Sequence, residues 1–200
     1  MKKQVLVIHG GDTFKTYDEY LDFLNSYEIN FEKLKVKGWK DNLRNDLGDE
    51  FEVVQPKMPN DYNAKYQEWK IWLEKLIPYL QDNLILVGHS LGGIFIAKYL
   101  SENDFPRTIQ ATFLIAPPYD DRDSEYSLCD FNLTNNLERL SEQGGRIYLY
   151  QSSDDTIVPP IDAEKYKKDL PSATARVFDN RGHFDQPIIP ELIDDIKNLH

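Results

Sequence analysis

Apolar and polar positions along this chain fall into two kinds of block. Short apolar runs recur at Gln4 to Ile8, Phe51 to Gln55, Leu84 to Val87, Ala111 to Ile115, Ile147 to Gln151 and Ala175 to Phe178. Several are almost wholly apolar, as strands covered on both faces must be. Between them, apolar residues repeat at helical spacing. Tyr66, Trp69, Leu73, Leu76, Ile77 and Leu80 form one such stripe; Ile188 or Ile189, Leu192, Ile193, Ile196 and Leu199 form another. Pro78 kinks or shortens the first, because proline lacks the N–H that a helix interior needs. The stripe with Trp69 and Trp72 reads as core rather than as a ligand platform. A further helix is expected over Ile94 to Leu100. Strands alternating with helices predict an α/β domain: a mainly parallel sheet of about six strands, helices on both faces, and right-handed crossovers.

Two connections are unusually long. Asp12 to Glu50 carries helical patterns around Tyr17 to Leu24 and around Trp39 to Leu47. Pro117 to Asn132 is polar and acidic. Both begin at the carboxyl end of a strand, where reactive groups gather in such sheets, and long connections there often act as lids. The chain therefore reads as one domain over 1–200, with candidate lids at 12–50 and 117–132. Trp39, Phe31 and Tyr17 are apolar groups available to line a pocket.

Composition narrows the function classes. The net charge of −11 argues against nucleic acid and anionic membrane surfaces, since both need a basic face. A single cysteine, Cys129, excludes an internal disulfide, and no histidine lies near it in sequence to activate it. The apolar stretch after Lys2-Lys3 is too short for a secretory signal. No run approaches transmembrane length. The expectation is a cytoplasmic protein.

One motif carries chemistry. Gly88-His89-Ser90-Leu91-Gly92 follows the apolar run Leu84 to Val87 and opens a helical stretch. This is the strand–turn–helix setting of a nucleophile elbow, where flanking side chains would strike the neighbouring strand or helix. With ten glycines and nine serines, a random G-x-S-x-G is expected only about 0.02 times. A serine nucleophile needs a base, and the base needs an orienting acid. Of the four histidines, His9 follows the first strand, His89 sits inside the elbow pointing away, and His200 ends the sequence. His183, in a loop after the last strand with Gly182 to aim it, is the candidate base. The acid should follow a strand between Ser90 and His183. Asp154 and Asp155 do so, and their side chains diverge; Asp155 is the choice, with Asp154 capping the turn. Asp185 lies too near His183, and Asp120, Asp121 and Asp123 are the next place to look. Leu91 N–H and Gly11 N–H are the expected oxyanion donors, with Asp12 N–H next. The Gly10-Gly11 pair lacks the further glycine and lysine of a phosphate loop.

These features resemble the α/β-hydrolase superfamily. The resemblance rests on His9-Gly10-Gly11, Gly88 to Gly93, Asp155-Thr156-Ile157-Val158-Pro159 and Gly182-His183-Phe184. Within that superfamily the chain looks like the small retinoblastoma-binding-protein-9-like serine hydrolases. Pro56-Lys57-Met58-Pro59-Asn60 followed by Trp69, and Leu114-Ile115-Ala116-Pro117-Pro118, add to the likeness. The 12–50 segment looks longer than its counterpart in compact members. The resemblance implies a Ser90–His183–Asp155 triad that hydrolyses a small ester, thioester or amide through an acyl-enzyme, without metal or organic cofactor. The competing reading is a protein-interaction module on a hydrolase fold; nothing in the sequence specifies a protein partner.

Overall fold

The computed structural model describes residues 2–122, 126–133 and 136–199. Its strands are β1 (Lys3–Ile8), β2 (Phe51–Val54), β3 (Leu84–His89), β4 (Ile109–Ile115), β5 (Arg146–Ser152) and β6 (Thr174–Phe178). They form one sheet in the order β2-β1-β3-β4-β5-β6, every pairing parallel. Each strand falls on an expected apolar run, with ends shifted by a residue or two. The helices are α1 (Tyr17–Ser26), α2 (Trp39–Leu47), α3 (Tyr66–Leu76), α4 (Leu91–Glu102), α5 (Glu138–Gln143), α6 (Ile161–Asp169) and α7 (Pro190–Lys197).

Side-chain alternation along β1 builds two cores. Val5 and Val7 face α2 and α7, where Trp39, Leu43 and Leu47 pack with Leu192, Ile193 and Ile196. Leu6 and Ile8 face the other side, against Trp69 and Leu73 of α3 and Ile94, Phe95 and Ile96 of α4. α4 buries every residue from Leu91 to Leu100, so it is the central helix under the sheet's carboxyl edge. α3 ends at Leu76 and tightens into a 3₁₀ turn over Ile77–Tyr79, where Pro78 cannot continue the helix. Tyr66, Trp69 and Leu73 are buried at spacings of three and four. Trp72 falls outside that stripe and is 42 % exposed, which corrects its assignment to the core.

The long connection after β1 divides. α2 is part of the core. No side chain of α1 is fully buried. Among the described residues no helix is long and apolar enough to cross a membrane.

Candidate active site

Ser90 sits at the turn between β3 and α4 with φ 55° and ψ −123°, a backbone conformation that side chains disfavour. Its N–H donates to Ile115 O at 2.8 Å, and its carbonyl accepts from Gly93 N–H at 2.8 Å. These bonds hold the turn in its strained shape. The flanking glycines are demanded by close approach. A Cβ on Gly88 would stand 2.5 Å from Gly92 O, and one on Gly92 would run into the carbonyls of Ile8 and His9. Gly92→Ala is therefore expected to destabilise by about 1–3 kcal/mol, each kcal/mol being worth roughly 2–4 °C in a chain of this size. Thermal melts of the two proteins check it.

His183 stands on the loop after β6, and its Nδ1 lies 2.9 Å from Asp155 Oδ2. Gly182 takes φ 51° and Phe184 φ 57°, so the loop turns sharply on both sides of the imidazole. The Asp155 carboxylate is buried and is itself fixed: Oδ1 accepts from Ile157 N–H at 2.8 Å and Val158 N–H at 3.0 Å. Asp154 points elsewhere. Its Oδ1 accepts from Ser152 Oγ at 2.5 Å and Gly182 N–H at 2.9 Å, and Ser152 Oγ in turn accepts from Arg181 N–H. Asp154 thus ties the end of β5 to the loop that carries His183. The Ser152 hydroxyl and the Gly182 N–H hold its carboxyl below the usual range. Among the described residues Ser90 Oγ makes no hydrogen bond; contacts of this kind tighten when substrate binds.

The other acids have their own partners. Asp120 pairs with Arg122 and, at 2.9 Å, with Lys165. Asp121 accepts from Ser127 Oγ, Leu128 N–H and Asn132 Nδ2, and so knots the 126–132 segment. Asp185 pairs with Lys33 at 3.7 Å. Asp123 and His200 lie outside the described residues.

Leu91 N–H opens α4, where the helix dipole favours negative charge. Neither it nor Gly11 N–H donates to another group among the described residues. Asp12 N–H, the reserve candidate, is committed to Asp61 O at 2.8 Å. His9 is held between Gly10 O and the Met58 N–H, with its ring edge-on to Trp69. It braces the glycine loop against the 56–60 segment.

A cavity of about 280 Å³ opens at Ser90. Gly11 and Leu91 line it together with the side chains of Phe14, Phe23, Tyr126, Leu128, Ile157 and Val158. Both long connections therefore contribute to it, and the Thr13 hydroxyl joins them by donating to Ser127 O. The aromatic groups expected there do not. Trp39 is buried beneath the sheet, while Tyr17 and Phe31 are exposed to solvent. Phe14 and Phe23 take their place, their rings 5.0 Å apart. Among the described residues no cluster of histidine, cysteine or carboxylate groups is arranged to hold a metal.

A parallel six-stranded sheet with a serine elbow at its carboxyl edge defines an α/β hydrolase. The chain belongs to the serine hydrolase family, whose sequence model matches residues 31–187. Solved structures agree on the fold. The ydeN gene product of B. subtilis superposes with a TM-score of 0.72 at 19 % identity, covering 99 % of this chain and 98 % of that one. The thioesterase domain from the curacin biosynthetic pathway gives 0.61 at 15 % identity, covering 98 % and 91 %. A structure from work on carboxylesterases of the thaumarchaeon Nitrososphaera gargenis gives 0.59 at 16 %, covering 98 % and 89 %. No curated protein matches the sequence.

Proposed function

We propose that this protein is a serine hydrolase of carboxylesterase type, acting on a small ester, thioester or amide. The observation that carries the reading is the buried Asp155 carboxylate bonded to His183 Nδ1 beside the Ser90 elbow. Ser90 Oγ attacks the acyl carbon while its proton passes to His183 Nε2. Asp155 keeps the proton on Nδ1, so Nε2 is free to act as base. The tetrahedral oxyanion is held by the N–H groups of Leu91 and Gly11. His183 then protonates the leaving group, and water releases the acid by the reverse path. The chemistry needs no metal or organic cofactor. One free cysteine suits a reducing compartment, and we place the enzyme in the cytoplasm.

Labelling with a fluorophosphonate probe tests the reading: the folded protein should be modified at Ser90 at neutral pH. The competing reading is an interaction module, favoured by the exposed apolar side chains of Ile29, Phe31, Leu34 and Val36. A folded protein that stays unlabelled would transfer support to it.

Of the two candidate lids, residues 13–36 and the described part of 117–132 act as lids that set acyl preference, whereas α2, within the 12–50 segment, belongs to the core. Phe23→Ala enlarges the cavity without touching the reacting groups. Its optimum in a series of p-nitrophenyl esters should move to longer chains while the rate of Ser90 labelling stays close to wild type. An unchanged chain-length profile would remove Phe23 from the specificity wall.

A further inference from the structure

We propose that Lys40 is a positioning residue for this site: through the imidazole of His89 it fixes the backbone of His183. The proposal rests on the reading of His183 as general base. Lys40 lies in the first turn of α2, on the face of the sheet away from the cavity.

The hydrogen-bond chemistry leaves one arrangement. His89 Nε2 lies 2.8 Å from His183 O. A carbonyl only accepts, so Nε2 carries a proton. His89 is buried, and burial, with the Lys40 ammonium adding to it, drives the ring well below the ordinary histidine range. The imidazole is therefore neutral, and Nδ1 is a bare acceptor in need of a donor. Lys40 Nζ stands 3.2 Å from it. The Lys40 side chain is half-buried, its Nζ 4.9 Å over the Trp39 ring. The chain Lys40–His89–His183 O thus selects one tautomer of His89 and gives the His183 carbonyl its donor.

The same end of α2 holds the carbonyls that follow. Trp39 Nε1 donates to Phe184 O at 2.9 Å, Trp39 N–H to Gln186 O at 3.1 Å, and Asn42 Nδ2 to Pro187 O at 3.0 Å. Phe184 is held at positive φ, so the loop would relax if released. Of these bonds from α2 among the described residues, only the Lys40 branch, through His89, reaches His183 itself. Without it, a neutral His89 can carry its proton on Nδ1, and the His183 carbonyl then faces a lone pair. Misplacement of a reacting group by about 1 Å costs roughly 10²-fold in rate. The loss belongs in kcat, because the cavity walls are untouched.

The test combines kinetics with imidazole ¹⁵N NMR on the full chain, using Lys40→Met and Lys40→Arg. In the wild type, His89 should show one protonated nitrogen, Nε2, and one bare nitrogen, Nδ1. Lys40→Met should show mixed tautomers and a kcat about 10–100-fold lower, with KM within about twofold. Lys40→Arg should restore the single tautomer and most of the rate. A Lys40→Met protein with wild-type kcat and an unchanged His89 spectrum overturns the proposal, even if its melting temperature falls. If Lys40→Met does not fold, Lys40→Arg decides: a mixed-tautomer spectrum in that variant counts against Lys40 acting as donor. Fluorophosphonate labelling of the wild type separates the two readings. An unlabelled wild type removes the hydrolase reading, whereas the His89 spectra still decide whether Lys40 sets the tautomer.

Discussion

Replacing Ser90 by alanine is expected to lower kcat about 10⁶-fold and to abolish covalent labelling, since the nucleophile and its base act as a unit. The fold should survive, because the hydroxyl makes no hydrogen bond to lose among the described residues and the turn is held by backbone bonds to Ile115 and Gly93. Alanine keeps the Cβ and so keeps the strain. Glycine at the same position should be equally inactive yet more stable than alanine, because a backbone at φ 55° costs a side-chain-bearing residue on the order of 1–3 kcal/mol. Thermal melts of the two inactive variants measure that difference directly. Retained labelling in Ser90→Ala would place the nucleophile elsewhere.

Asp155→Asn is expected to lower kcat by roughly 10³–10⁴-fold. The amide is nearly isosteric and can still accept from Ile157 and Val158 N–H. Facing His183, however, its NH₂ donates where the carboxylate accepted, which puts the imidazole proton on the wrong nitrogen. Asp154→Asn should cost about tenfold or less, through a weaker tie to Ser152 and Gly182. One activated ester serves both variants, each checked for cooperative melting. A crippled Asp154→Asn beside an active Asp155→Asn would reverse the two assignments.

The sequence made the sheet legible because its strands are buried on both faces and therefore nearly all apolar. It was less informative where burial is partial. α5 and α6 went unread: α5 buries only Leu140, and α6 presents Ala163 and Tyr166 among charged residues, too sparse a stripe to show a period. Ser90, Asp155 and His183 could be proposed from the sequence because each follows a strand end in a fixed order, and the structure brings the last two into contact. The cavity wall was not. Trp39, Phe31 and Tyr17 are as aromatic as Phe14 and Phe23, and nothing local says which will turn inward. That choice is made by tertiary packing, with α2 drawn into the core on one face of the sheet and α1 left without a fully buried side chain. Lys40 was hidden for a similar reason. Its partner, His89, is 49 positions away, and neither residue belongs to a motif that would pair them.

The absence of any buried side chain in α1 has an evolutionary consequence. Sequence change is usually constrained because most substitutions erode stability. Here the segment that walls the cavity contributes little to the core, and lengthening a surface loop costs only about 0.6 kcal/mol per doubling. The elbow, the His183 loop and their α2 brace sit instead on densely packed elements. On the proposed function, substrate range can therefore drift through residues 13–36 while the framework that holds the proposed triad stays under stability selection, so that relatives on this scaffold can diverge in what they cleave well before they diverge in how they cleave it.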